Sequence, residues 1–98
     1  MYIKIHDSYR KIVAICDSDI LGKKFQQGNF QLEVNEGFYC GEKKSPEEIE
    51  EIIKDLIKED STFNLVGEQT IKLALKLELI DEEGIIYIQG IPHALILI

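Results

Sequence analysis

The sequence holds little from which to build a metal site, a disulfide scaffold or a membrane span. Its 98 residues include two cysteines, Cys16 and Cys40, and two histidines, His6 and His93. These four share no C-x2-C or H-x3-H spacing, so no short zinc chelate exists and no metal is expected. Met1-Tyr2-Ile3-Lys4 passes straight into an alternating pattern, with no secretory leader. Apolar runs such as Ala94–Ile98 stop far short of the ~20 residues that cross a bilayer. Together these absences predict a cytoplasmic protein with free thiols and no membrane contact. The phosphate-cradling frame G-x4-G-K-S/T is missing, so Gly22-Lys23-Lys24 is no P-loop, although Lys23 stands as a candidate anion contact. No cofactor fingerprint, internal repeat, low-complexity tract or linker is found.

Positive charge is also scarce. The formal net charge is −7; residues 1–45 carry +1 and residues 46–98 carry −8. Such a surface repels a phosphate backbone over most of its area, so direct nucleic-acid binding is not expected outside the near-neutral first half. The acids read as solvated helix faces that keep the chain in solution.

What is present suits one globular domain, residues 1–98, with 45% apolar and 30% charged residues. Tyr2–His6 and Lys11–Cys16 read as a β-hairpin. A short helical turn is expected over Asp17–Phe25, with Asp17, Ser18 or Asp19 as its cap. Phe30, Leu32 and Val34 alternate with polar residues as a strand. The segment Asn35–Lys44 reads as an ordered loop. Ser45–Lys58 is a helix: Ser45 caps it, Pro46 opens it, Glu48 completes a capping box, and Ile49, Ile52, Ile53, Leu56 and Ile57 form one apolar stripe. Residues 63–80 alternate like a strand in part, but their Ala, Leu, Lys, Glu and Gln content predicts a second helix. Ile85–Ile88 and Ala94–Ile98 are expected strands joined by Gly90-Ile91-Pro92-His93. The predicted fold is α+β: one mostly antiparallel sheet built from the N-terminal hairpin, a middle strand and the C-terminal strands, covered by two helices.

Several residues are candidates for chemistry. Pro92 stiffens the backbone before His93, and a rigidly presented imidazole suits acid–base work; the plainer reading is a turn histidine. On the predicted second helix Asn64 and Glu68, four apart, share a face, with Gly67 allowing close approach; ordinary capping explains the same residues. Phe38-Tyr39 between Gly37 and Gly41 offers either a stacking surface or a plug at the core's edge. Cys16 with His93 would make a thiolate–imidazole pair only if the fold joined them; otherwise Cys16 is a small core residue and Cys40 a loop thiol.

The landmarks Cys16-Asp17, Ile20-Leu21-Gly22-Lys23 with Phe25, Phe38-Tyr39 with Gly41, Asn64-Leu65-Val66-Gly67-Glu68, and Gly90, Pro92, His93 and Ala94 resemble, in this order, a family of archaeal proteins about 100 residues long, domain of unknown function 424. The resemblance spans nearly the whole chain. It implies an archaeal cytoplasmic protein without an assigned activity, with translation or RNA-related machinery as the expected setting. Two functions follow. The first is a binding or adapter module that contacts a protein or ribonucleoprotein partner through Lys23, Tyr39, Asn64, Glu68 and His93. The second is a small enzyme using His93 and Glu68 as acid and base on an anionic small molecule. Pairing of the Ala94–Ile98 strand with another copy would make a homodimer.

Overall fold

Two alternating segments open the chain as expected: β1 (Tyr2–His6) and β2 (Lys11–Cys16) form an antiparallel hairpin, with Ile3 opposite Ile15 and His6 opposite Ile12, in a computed structural model that describes residues 1–98. A 3-10 turn at Ser18–Ile20 leads to β3 (Lys24–Gln27) and β4 (Phe30–Glu33). A one-turn helix α1 (Glu36–Tyr39) and the short strand β5 (Glu42–Lys43) precede α2 (Pro46–Leu56). Then come β6 (Ser61–Val66), α3 (Glu68–Lys76), β7 (Ile86–Ile88) and β8 (Ile91–Leu97). Six strands form one sheet in the order β5-β1-β2-β6-β8-β7, antiparallel except for the central pair β2 and β6.

The sheet is covered on both faces. On the helical face, Ile49, Ile53 and Leu56 of α2 and Ile71, Leu73 and Ala74 of α3 pack on Ile3, Val13, Ile15, Phe63, Leu65 and Ala94. On the other face, Ile20, Leu32, Val34 and Tyr39 cover Ala14, Cys16, Val66 and Ile88. The capping box of α2 forms as expected, with Ser45 Oγ accepting from Glu48 N and Glu48 Oε1 accepting from Ser45 N. The exposed Glu50–Lys54 pair (3.2 Å) also forms, and Glu50 reaches Lys76 of α3 (3.1 Å).

The arrangement corrects the expected one in four places. The middle strand Phe30–Glu33 does not enter the main sheet; it pairs with β3 as a separate ribbon, Phe25 opposite Leu32, and Phe25 is part of that ribbon rather than of a helical turn. A period of two reports that one side of a strand is buried, not which sheet it joins. The expected loop at Asn35–Lys44 contains α1, capped by Asn35, and β5, which pairs with Tyr2 and Ile3. The second helix starts at Glu68, because Ser61–Val66 is the central strand β6, buried along its helical side and half-buried at Thr62 and Asn64 on the other. Lastly, Gly90–His93 is not the connection: the turn is Gln89-Gly90, both at positive φ, and Ile91, Pro92 and His93 already belong to β8. Proline is tolerated there because the missing N–H faces Gly67, whose carbonyl instead accepts from Ile71 N of α3 (2.9 Å), while Pro92 O accepts from Gly67 N (2.9 Å).

The end of α3 carries a local strain. Leu79 N donates to Ala74 O and Glu78 N to Leu75 O, the two bonds of a Schellman motif, with Glu78 held at φ 58. Glycine occupies that backbone region without a Cβ clash. Glu78→Gly is therefore expected to raise stability by about 0.5–1 kcal/mol. A urea-unfolding midpoint equal to or below that of the parent would contradict this account.

Candidate functional site

Parallel strands β2 and β6 end side by side, with Cys16 opposite Val66. The next residues are Asp17 and Gly67. Asp17 is 6% exposed, and its carboxylate accepts from Gln69 N (2.9 Å), Thr70 N (2.8 Å) and Thr70 Oγ1 (2.8 Å). Thus Asp17 caps α3 from across the sheet and not the turn that follows it, where it makes no side-chain cap. Sequence spacing gives no sign of this role, because cap and helix are about fifty residues apart. A glycine at φ 109 closes the arrangement: a Cβ on Gly67 would lie 2.4 Å from Asp17 Cγ.

Ligands of open α/β sheets commonly sit outside the carboxyl ends of parallel strands. The cleft there, about 230 Å³, is lined by Asp17, Asp19, Ile20, Gly67, Glu68, Gln69 and Ile91. Both Asp17 oxygens are already engaged by α3, and Asp19 and Glu68 add negative charge where a helix N-terminus would otherwise attract an anion. The crevice therefore serves as an anchor for α3.

The five candidate residues do not converge. Tyr39, the last residue of α1, is buried in the core, 4% exposed, so Phe38-Tyr39 plugs the core; Phe38 stacks on His6 (4.8 Å between rings). Lys23 is exposed in the connection to β3. Glu68 is exposed at the start of α3, on the helical side. Asn64 lies on β6 and does not share a helix face with Glu68, contrary to expectation. Asn64 pairs with Leu95, and Val66 with His93, so Asn64 and His93 are diagonal neighbours on the hairpin-covered face. No cleft is lined by more than one of the five. No group of three His, Cys, Asp or Glu side chains is placed to hold a metal ion.

Neither cysteine nor histidine is armed as a nucleophile pair. Burial, with Asp17 beside it, pushes the Cys16 thiol up to about 12, which keeps it protonated. Cys16 and Cys40 are both free, one buried and one exposed. His93 is half-buried, and burial alone pushes its imidazole below the ordinary value of 6.5. An unfolded chain releases that restraint, so it binds more protons than the folded one below pH ~6.5. Stability contributed by neutral His93 is therefore present above that pH and is lost as pH falls toward the depressed folded value. In urea titrations between pH ~7.5 and ~5, His93→Gln is expected to lose less stability than the parent. Equal acid-side slopes would remove His93 as the cause.

One region is conspicuously open. Five of the nine exposed large apolar side chains belong to the last two strands and the residue after them: Ile86 (49%), Tyr87 (60%), Leu95 (56%), Leu97 (70%) and Ile98 (36%). Leu95 and Leu97 project on the hairpin-covered face beyond the ribbon, beside the half-buried Asn64 and Thr62. Thr62 Oγ1 accepts from Arg10 Nε (3.2 Å), which ties the β1–β2 loop to this end of the sheet. Tyr87 and Ile98 lie on the helical face, and Ile86, Leu95 and Leu97 share the other; lone exposed leucines are ordinary, but a group on one face marks an interaction surface.

A crystal structure of an uncharacterized conserved protein from Methanopyrus kandleri matches with a TM-score of 0.87 at 24% identity, covering 99% of this chain and 90% of that one; the likeness extends to the fold. No curated protein matches. The family model described as protein of unknown function (DUF424) matches residues 5–98, and the chain belongs to that family.

Proposed function

We propose that this protein is a binding module whose contact surface is the open part of the sheet carrying Asn64, His93, Leu95 and Leu97. The reading is supported above all by Ile86, Leu95 and Leu97, apolar side chains of β7 and β8 exposed on that one face. A folded chain leaves such a group in water at a cost of about 25 cal/mol per Å2 of apolar surface, which a partner recovers by covering it. Asn64 and His93 add polar groups that fix orientation at the edge of an apolar patch. The partner is a protein or ribonucleoprotein, since the chain's charge of −7 opposes bare nucleic acid. An archaeal cytoplasmic setting belongs to the same reading: the solved neighbour comes from an archaeon, and two unpaired cysteines suit a reducing compartment.

A photo-crosslinking residue at Leu95, with Glu47 on exposed α2 as the control position, tests it in cell extract. A discrete product with another protein at Leu95 and not at Glu47, lost on Asn64→Asp or Leu97→Asp, is the expected result. Identical patterns from both positions would remove the reading.

A further inference from the structure

The partly open edge of the sheet has a second feature that side-chain exposure does not describe. Ser61 and Ile98 exchange backbone bonds (Ile98 N to Ser61 O, 2.8 Å; Ser61 N to Ile98 O, 3.3 Å), and Gly67 N donates to Pro92 O. In an antiparallel ladder bonded pairs alternate. Hence Pro92, Ala94, Ile96 and Ile98 turn their backbone groups toward β6, and Ile91, His93, Leu95 and Leu97 turn theirs outward. β7 satisfies Ile91 and His93, pairing them with Ile88 and Ile86, and then stops. Leu95 and Leu97 are left with outward N–H and C=O groups on an open edge.

The opposite edge of the sheet is guarded. There β5 covers Tyr2 and Ile3, and Lys4, His6 and Asp7 place polar and charged side chains along the remainder. From Ala94 to Ile98 the β8 edge has no charged side chain, glycine or proline. Bare apolar edges of this kind pair with another strand.

We infer that the occupant is a second copy of this chain, its β8 paired antiparallel with β8 about a two-fold axis at Ile96. This rests on the proposed contact surface and names what covers part of it. Two observations favour self-pairing. The register is self-complementary: Leu95 meets Leu97 of the second copy, both with outward backbone groups, so each pair exchanges both bonds, and the axis passes through the Ile96–Ile96 pair. The length fits as well, because residues 94–98 of the second copy then lie opposite residues 98–94, beyond the last β7 partner at His93. The strand itself raises no objection: the two chains, each of net charge −7, meet over residues 94–98 without placing charged side chains opposite one another. Cross-strand leucines then cluster on one face, continuous with Asn64 and Thr62, so the two-fold doubles that surface.

The purified full chain is expected to weigh twice 11.2 kDa by light scattering at about 100 µM. Leu97→Pro removes one outward N–H without breaking a bond to β6, and is expected to be a monomer with parental circular dichroism. Should that variant not fold, the Leu95→Lys/Leu97→Lys double variant, which keeps every N–H, is expected to be monomeric instead. In a Cys40→Ser background, Ile96→Cys is expected to oxidise to a linked dimer, and Leu97→Cys is not, because only residue 96 meets itself across the axis. A parental chain that stays monomeric at this concentration, a dimer untouched by these variants, or equal linkage at 96 and 97 would overturn the inference. A monomer that still crosslinks another protein at Leu95 ends self-pairing and leaves the binding module standing. A dimer with no such crosslink does the reverse.

Discussion

Substituting alanine for Gly67 is expected to cost about 2–6 kcal/mol, enough to threaten a domain whose total stability is about 5–15 kcal/mol. Two costs combine. At φ 109 and ψ 156 an L-residue is strained by about 1–3 kcal/mol. Its Cβ would also meet Asp17 Cγ at 2.4 Å and the two carboxylate oxygens at 2.6 and 2.7 Å, an overpacking cost of about 1–3 kcal/mol. Asp17 cannot retreat without releasing Gln69 N, Thr70 N and Thr70 Oγ1. For the same reason Asp17→Ala is expected to cost about 2–4 kcal/mol, since it leaves donors at the start of α3 without a partner. The two sites act through one contact, so the double variant should be more stable than the sum of the single effects implies, by about 1–3 kcal/mol. Chemical denaturation of the four proteins measures this coupling. Strict additivity would mean that the close approach of Gly67 to Asp17 is not what selects glycine.

The second large effect is expected at Phe63. It lies in the middle of β6, fully buried, between Val13 of β2 and Ile96 of β8, under the helices. Phe63→Ala removes its packing and leaves a cavity bounded by three strands, which cannot collapse without breaking their ladder. The expected loss is about 3–5 kcal/mol, a fall in Tm of more than about 10 °C for a domain of this size. Phe63→Leu, which refills most of the volume, should retain most of the stability. A loss below about 1 kcal/mol for the alanine variant would place Phe63 outside the centre of the core.

Phe63 also marks where sequence and structure part. Ser61–Val66 and Glu68–Lys76 are adjacent, and their apolar residues run together as one pattern. Helix formers after Gly67 extend the expected helix backward over a strand whose β-branched and aromatic residues (Thr62, Phe63, Val66) argued otherwise. β6 does alternate over Thr62–Leu65, but that run is short and the helix formers after Gly67 follow it directly, so period alone does not separate it from the start of a buried helix. The error moved Asn64 onto the wrong element and created an apparent face with Glu68. Within the candidate site, Asn64 and His93 are neighbours only because β6 and β8 pair in one register; the sequence offers Ala94–Ile98 as a strand that pairs with another copy, but the exposure of Leu95 and Leu97 is set by where β7 stops.

Legible in the residues alone are the local pieces: the first hairpin, the capped helix read over Ser45–Lys58, the presence of two last strands and the α+β class. Each depends on contacts between residues a few positions apart, where propensity, capping and turn chemistry act. Packing of the whole chain sets the rest: the Phe30 strand leaves the main sheet, β2 and β6 run parallel at its centre, Asp17 caps a helix about fifty residues away, and β8 keeps an open apolar edge. Those outcomes depend on which surfaces meet across the whole chain, and burial of apolar area is non-directional, so no short stretch of residues encodes its own partner.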